Sequence, residues 1–267
     1  MSARARADGS FLQSLSIQSR VVGALLMREI ITRYGRHNIG FLWLFVEPMM
    51  FTLAVTLLWS GLGLNHTSTL PITAFAVTGY SSILLWRNMP GRLIASVTPN
   101  LALMYHRNVK VVDVFAARLI LEFVGATISF IVLAIGFAAY GWMDLPEDLL
   151  KVMGGWLLIA WFGAGLALVL GSLSEDYELV EKLWHPAAYM IMPLSGAGFV
   201  VSSLPQAMQE VVLYIPVIHA TEYLREGYFG SLMDARYDLG YVIGCNLVLT
   251  LLGIARMTKV SREVQPE

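Results

Sequence analysis

The sequence predicts an all-α membrane protein with six transmembrane helices. Of its 267 residues, 57% are hydrophobic and only 14% are charged, and the mean hydropathy is +0.64. Soluble proteins average about 25% charged residues. Because a helix needs about 20 apolar residues to cross a bilayer, long stretches without charge are the informative signal. Six such stretches occur, the first with one charge, Glu47: 41–64, 69–86, 123–143, 152–174, 183–209 and 239–255.

The distribution of basic residues predicts that both chain termini lie in the cytoplasm. With six spans, the two termini share one side of the membrane. All Lys and Arg residues fall on that side except Lys151, Arg225 and Arg236. Since cytoplasmic loops are enriched in Lys and Arg, we expect a multi-pass membrane protein with both termini in the cytoplasm.

The composition also excludes several classes of function. A formal net charge of −1 leaves no basic surface for nucleic acid. Cys245 is the only cysteine, and the five histidines show no zinc spacing. His219 and Glu222 are spaced H-x-x-E, which we interpret as a polar pair supporting its segment and not as a metal site. The sequence contains no Gly-Lys pair and hence no P-loop, so we expect neither a cofactor nor an enzyme in this chain.

Two segments beside the spans have patterns of their own. Residues 15–36 alternate apolar and charged faces at helical spacing, with the charges Arg28, Glu29 and Arg33. We predict a helix in the cytoplasmic interface, the alternative being a helix that packs on a soluble partner. The last external connection, 202–238, contains Pro205 and Pro216, which predict two short re-entrant or interfacial helices.

Few ionisable residues fall near the predicted spans, where they are functional candidates. Glu47 precedes Pro48 and could cap a kinked helix or pair with a basic residue. Arg118 and Glu122 are four residues apart and could neutralise one another. Structural neutralisation is the alternative for all three. Because no series of carboxylates crosses the membrane centre, a proton-coupled pump is disfavoured.

Aromatic side chains away from the predicted helix ends are candidates for a sugar pathway, since ring faces pack against pyranose rings. Packing in the core or against lipid is the alternative for each one. These candidates for a substrate channel are Phe51, Tyr80, Trp161, Tyr189 and Phe199. The small residues Gly163, Ala167 and Gly171 suit close helix packing, either within the chain or between two copies.

Several motifs occur in an order that is typical of one family. The first is Arg28–Gly35, followed by Ile39–Trp43 and the pair Glu47-Pro48. The later ones are Arg107 to Lys110 with Asp113, Arg118 and Glu122, then Pro193–Pro205, then His219–Glu226. Over nearly its whole length the chain thereby resembles type-2 ABC transporter permeases, in particular those that export capsular polysaccharide.

The resemblance implies one transmembrane domain over 1–267 that forms a homodimer. It also implies two ATP-binding cassette subunits, carrying ATP and Mg, on the cytoplasmic side, and a lipid-linked polysaccharide as substrate. A coupling segment, 99–108, would contact the ATPase, and an external gate segment, 205–229, would line the exit. The sequence leaves open whether periplasmic export proteins join. The coupling residues are Pro99, Asn100, Tyr105, His106, Arg107 and Asn108; the gate residues are Pro205, Pro216, His219, Glu222 and Arg225.

We therefore expect the permease subunit of an ATP-driven exporter of lipid-linked capsular polysaccharide. The same architecture exporting O-antigen, teichoic acid, a small lipid or a drug is an alternative. An ion-coupled secondary transporter predicts a functional carboxylate at the membrane centre, and an intramembrane enzyme predicts a polar catalytic cluster on facing helices. Neither feature is visible in the sequence.

Overall fold

The structure is a computed structural model that describes residues 11–34, 38–62, 70–106 and 109–264. These residues form ten α-helices, short 3-10 turns and connecting segments, without a strand among them. The helices are α1 Phe11–Tyr34, α2 Asn38–Gly61, α3 Ile72–Leu93, α4 Leu101–His106, α5 Val111–Ala139, α6 Leu149–Asp176, α7 Glu178–Ile191, α8 Gln206–Val212, α9 Pro216–Phe229 and α10 Leu239–Val264.

Four of the helices in the described residues are long and apolar enough to cross a membrane. They are α2 over Leu42–Trp59, together with α5, α6 and α10 over their whole lengths. The second predicted span corresponds to α3, which has 22 residues and carries Arg87 and Arg92 in its last two turns. The structure thus bears out an all-helical chain with several membrane-length helices.

Helix α3 is the centre of the fold. It contacts α2, α5, α6 and α9, and most of its side chains are buried, including Leu85 and Trp86. Helices α9 and α10 pack on α6, while α1 packs on α5 and α2. A central helix that is shielded by its neighbours needs less apolar surface than one that faces lipid, which explains why α3 tolerates polar residues.

The small residues of α6 allow α3 to pack closely against it. A Cβ atom on Gly163 would lie 2.8 Å from the Cα atom of Trp86, and one on Gly171 would lie 2.7 Å from the Cβ atom of Leu93. Ala167, between them, is fully buried. Small side chains let two backbones approach closely, so Gly163, Ala167 and Gly171 allow α6 to pack against α3 within the chain.

The fifth predicted span, 183–209, is not one continuous helix. Helix α7 has 14 residues and ends at Ile191, and a 3-10 turn, Met192–Leu194, follows. Pro193 has no N–H to continue the helix, and Gly196 has φ +81°, a left-handed conformation that favours glycine. The run without charges is therefore divided between a helix, an irregular segment and the start of α8.

The two short helices expected from Pro205 and Pro216 are present. Pro205 caps α8, and Pro216 is the first residue of α9, a position where a missing N–H costs nothing. Helix α1 covers most of the segment 15–36 that was expected to be helical, although residues 35–37 lie outside the described part of the chain.

Candidate functional site: a polar groove and its cytoplasmic frame

A groove of about 340 Å³ lies between α2, α3 and α7. Its polar and aromatic lining consists of Glu47, Phe51, Arg87, Asn88, Arg92, Trp184, His185 and Tyr189. Gly91 of α3 faces Trp184 of α7 across the groove, and a Cβ atom there would lie 3.5 Å from the indole nitrogen, an ordinary contact distance. A small adjoining cavity, which also touches Glu47, Asn88 and Arg92, extends from the groove to Glu122 on α5.

Several polar side chains of the groove lack partners within the described residues. Glu47, Asn88 and His185 make no hydrogen bond or ion pair there. Among the described residues, Arg87 contacts an aromatic ring and a thioether but no carboxylate. Its guanidinium lies 5.1 Å from the ring centre of Tyr189, and Nη1 lies 3.6 Å from the sulfur of Met192. Arg87 and Asn88 are half-buried, whereas Glu47 and His185 are exposed. Because half-buried polar groups are normally paired, Arg87 and Asn88 are the two side chains here that point to a ligand.

The groove combines the two chemistries that an acidic sugar requires. The guanidinium of Arg87 can pair with a carboxylate or phosphate. The exposed faces of Tyr189 and Phe51 can pack against the apolar face of a sugar ring. Sequence analysis named Phe51 and Tyr189 but missed Arg87, Asn88, Trp184 and His185. Arg87 follows an apolar run directly, and its charge was attributed to the general enrichment of basic residues in cytoplasmic loops.

An ion-pair network frames the groove on the side of α1 and α5. Glu122 on α5 is 9% exposed, accepts a hydrogen bond from Arg33 Nη1 at 2.5 Å and forms an ion pair with Arg92, whose Nε lies 3.0 Å from Glu122 Oε1. Arg33 also binds Glu29 at 2.8 Å. The carboxylate of Glu122 therefore joins α1 to the α3 wall of the groove, since Arg92 lines that wall.

The expected pairing of Arg118 with Glu122 is wrong. Arg118 Nε lies 3.2 Å from Glu29 Oε1, and its Nη1 donates to the carbonyl of Arg92 at 2.7 Å. A helical pair four residues apart contributes only about 0.2–0.5 kcal/mol, so tertiary partners readily displace it. The packing of α1 on α5, which the spacing could not show, supplies Glu29 and Arg33 as those partners.

The predicted coupling segment lies next to this network. Pro99 and Asn100 belong to the 3-10 turn Thr98–Asn100, and Tyr105 and His106 end α4. Asn100 is buried and accepts from Arg28 Nη1 at 2.5 Å, which ties the segment to α1. The side chain of Tyr105 is 64% exposed. Arg107 and Asn108 lie outside the described residues.

At the other end of the molecule, α9 carries a buried arginine with many partners. Arg225 is completely buried and donates to the carbonyls of Gly196, Ala197 and Phe199 in the irregular segment after α7. It also donates to α3, at the carbonyl of Phe75 and the hydroxyl of Thr78. Its guanidinium lies 3.9 Å from the ring centre of Phe75. These contacts replace the helical hydrogen bonds that the break after α7 removes.

Glu222 and His219 hold further backbone around α9. Glu222 accepts from the N–H groups of Val201 and Arg236, at 3.2 and 3.1 Å. The ring of His219 lies 2.8 Å from the carbonyl of Leu213, through Nε2, and accepts from Asp238 N–H, also at 2.8 Å. Burial lowers the pKa of Arg225 to about 10, with the charge of Glu222 opposing this, and burial raises the pKa of Glu222. We call Arg225, Glu222, His219 and their partners the α9 anchor.

Comparison with known proteins identifies the family. A model of the ABC-2 type transporter family matches residues 20–229, which include the groove, the ion-pair network, the coupling segment and the three α9 residues of the anchor, Arg225, Glu222 and His219. The chain belongs to the ABC-2 type transporter family. Members of this family are membrane permease components of ABC transporters, whose ATP-binding subunits are separate partners.

Individual relatives of this ABC-2 chain match almost end to end. It is 49% identical over 258 residues to the capsule polysaccharide export inner-membrane protein CtrC of Neisseria meningitidis serogroup B, with 97% of each chain covered. It is 41% identical, with the same coverage, to the capsule polysaccharide export inner-membrane protein BexB of Haemophilus influenzae. The polysialic acid transport protein KpsM of Escherichia coli is 22% identical over 240 residues, 90% of this chain and 93% of KpsM.

The five predicted channel aromatics of this ABC-2 transporter chain do not form one cluster. Phe51 and Tyr189 line the groove, and Tyr80 packs on Phe51 with 5.8 Å between ring centres. Trp161 instead donates to Thr250 on α10 at 2.9 Å. Phe199 packs beside a small apolar cluster near the α9 anchor. The roles of these aromatic side chains in transport stay predictions.

Proposed function

We propose that this chain is the permease subunit of an ATP-driven exporter that moves capsular polysaccharide across a bacterial inner membrane. The observation that carries the proposal is the groove, in which Arg87, without a carboxylate partner among the described residues, lies beside exposed aromatic rings. Near-complete alignment with two proteins named for capsule polysaccharide export supports the same substrate class.

In the proposed topology the chain crosses the membrane six times with both termini in the cytoplasm. Helices α2, α5, α6 and α10 supply four spans by length and composition. Helix α3 supplies another, shielded by its neighbours, and α7 with the irregular segment after it supplies the sixth. Helix α1 then lies in the cytoplasmic interface, and the segment 205–229 forms the gate at the opposite face.

This topology puts the groove in the cytoplasmic half of the membrane, where an acidic, lipid-linked glycan enters. Arg87 binds its carboxylate or phosphate, and Tyr189 and Phe51 contact its sugar rings. Two copies of the chain enclose the pathway, because one bundle offers only a groove that is open on one side. Two ATP-binding subunits dock on the coupling segment 99–108 and supply the energy.

The test is complementation of a capsule-forming bacterium whose own export permease has been deleted. With this chain and its ATP-binding subunit, we expect surface capsule to return and intracellular polysaccharide to disappear. Retained intracellular polysaccharide, with the chain present in the membrane, would contradict the proposal. Export of O-antigen or of a small lipid in place of capsule would favour the alternative substrates.

Purification from native membranes in mild detergent tests the energy source. Co-purification of a stoichiometric subunit with a P-loop is the expected result. Recovery of the chain alone at several detergent concentrations, together with export that is abolished by uncouplers, would favour the ion-coupled alternative.

A further inference from the structure

The segment that leaves α3 has an unusual backbone. Ala95 has φ 51°, the left-handed region that non-glycine residues rarely adopt. The helix ends at Leu93, where Ile94 N–H still donates to the carbonyl of Pro90 and Ser96 N–H donates to that of Leu93, whereas Ala95 N–H donates outside the helix. A strained residue of this kind persists only where its surroundings hold it.

The end of α6 supplies the surroundings that hold Ala95. The hydroxyl of Ser174 accepts from Ala95 N–H at 3.0 Å, and the carboxylate of Glu175 accepts from Val97 N–H, also at 3.0 Å. The second carboxylate oxygen of Glu175 lies 3.3 Å from the hydroxyl of Thr98. We call these contacts the clasp.

The clasp lies close along the chain to both walls of the groove. On one side, Val97 is only four residues beyond the end of α3, which contributes Arg87, Asn88 and Arg92 to the groove. On the other, Glu175 lies three residues before the start of α7 at Glu178, and α7 contributes Trp184, His185 and Tyr189.

We propose that Glu175 is a positioning residue that transmits movement of the coupling segment to α7 and thereby sets the width of the groove. The inference rests on the proposed function. Thr98 begins the 3-10 turn that leads into α4, so a force applied to the segment 98–106 reaches Glu175 directly through its two bonds. Charge-assisted hydrogen bonds are about twice as strong as neutral ones, which suits a carboxylate to this task.

Replacing the carboxylate tests the role of Glu175. In the complete complex with the ATP-binding subunit, Glu175→Ala should hydrolyse ATP and assemble normally. Export per ATP hydrolysed should fall about tenfold, as expected for a lost charge-assisted bond. Glu175→Gln keeps an oxygen that can accept from Val97 N–H and should restore most of that ratio. Glu263→Ala removes an exposed carboxylate at the end of α10 and should behave like the wild type.

Two further measurements keep the proposal falsifiable if Glu175→Ala does not accumulate. The double variant Ser174→Ala with Thr98→Val weakens the clasp from both sides and should lower export per ATP roughly threefold. Spin labels at Asn88→Cys and His185→Cys, in a Cys245→Ser background, report the width of the groove. We expect ATP to change that distance in the wild type and to change it less in the clasp variants.

Three results would overturn the proposal about Glu175. One is an unchanged export-to-ATP ratio in both Glu175→Ala and the double variant. Another is loss of the ATP-binding subunit from Glu175→Ala, which would make Glu175 a docking residue. The third is an identical response of the spin labels to ATP in wild type and clasp variants. Failure of the proposed function itself is recognised separately, because the wild-type chain would then export no polysaccharide.

Discussion

The groove and the α9 anchor contain similar polar residues in opposite states. In the anchor, the guanidinium of Arg225 donates to five acceptors, and Glu222 accepts two backbone N–H groups. In the groove, Arg87 contacts a ring face and a sulfur, and Glu47 and His185 have no partner within the described residues.

This contrast separates structural from functional polar groups. An ionised side chain without a partner costs several kcal/mol on burial, so the fold must supply partners wherever it encloses one completely. The anchor meets that requirement within the chain. In the groove a ligand would supply the partners. The free-energy cost of leaving these side chains unpaired stays low because Glu47, His185 and Tyr189 are exposed. Substitutions in the anchor should therefore affect stability, and those in the groove should affect transport.

The largest effect is expected from Arg225→Ala. It removes the Arg225 donor from the carbonyls of Gly196, Ala197 and Phe199, and it creates a cavity beside Phe75. We expect a loss on the order of 3 kcal/mol or more, measured as a lower melting temperature in detergent and less chain in the membrane. The exposed Arg262→Ala is the control and should melt like the wild type. A normal melting temperature for Arg225→Ala would show that the anchor contributes little to stability.

A smaller loss of stability is expected from Gly79→Ala. The added Cβ atom would overlap Nη2 of Arg225 and lie 2.6 Å from the carbonyl oxygen of Ala197, so the anchor must shift. We expect a cost of about 1–3 kcal/mol by the same melting assay. Gly198→Ala lies in the adjacent segment with nothing within 4 Å of the new atom, and it should cost much less. Equal melting temperatures for the two variants would contradict the close packing at Gly79.

Groove substitutions should have the smallest effect on stability and a clear effect on export. Arg87→Gln should lower export of an acidic capsule about tenfold, and Tyr189→Ala should lower it a few-fold, because each removes one contact with the glycan. The free energy of unfolding of each variant should stay within about 0.5 kcal/mol of the wild type, so the melting temperature should change little. If export is normal in both variants, the groove is not the entry site. If the melting temperature falls as far as in Gly79→Ala, Arg87 and Tyr189 stabilise the fold in the way that the anchor residues do.

Local patterns gave much of the architecture. The runs without charges located four helices of membrane length, and Pro205 and Pro216 predicted the starts of α8 and α9. The absence of a Gly-Lys pair from the sequence excluded a nucleotide site of the P-loop type. These features depend on the chemistry of neighbouring residues, which the sequence displays directly.

Long-range partners were beyond the reach of local patterns. The i, i+4 spacing suggested that Arg118 pairs with Glu122, whereas the fold gives each of them a partner on α1. The sequence places Arg225 in the predicted gate segment but does not show its hydrogen-bond acceptors. These lie 26 to 29 residues earlier in the chain and, still further back, on α3. The run 183–209 contains no charged residue that would have indicated the end of helix α7 at Ile191.

The sequence by itself thus determined that this chain is helical, apolar and built for a membrane, because those properties follow from composition and from runs of adjacent residues. Only the tertiary structure decided which charges are enclosed and satisfied and which are left for a ligand. The reason is physical: a side chain's electrostatic state depends on the groups that packing brings within about 4 Å, whatever their distance along the chain.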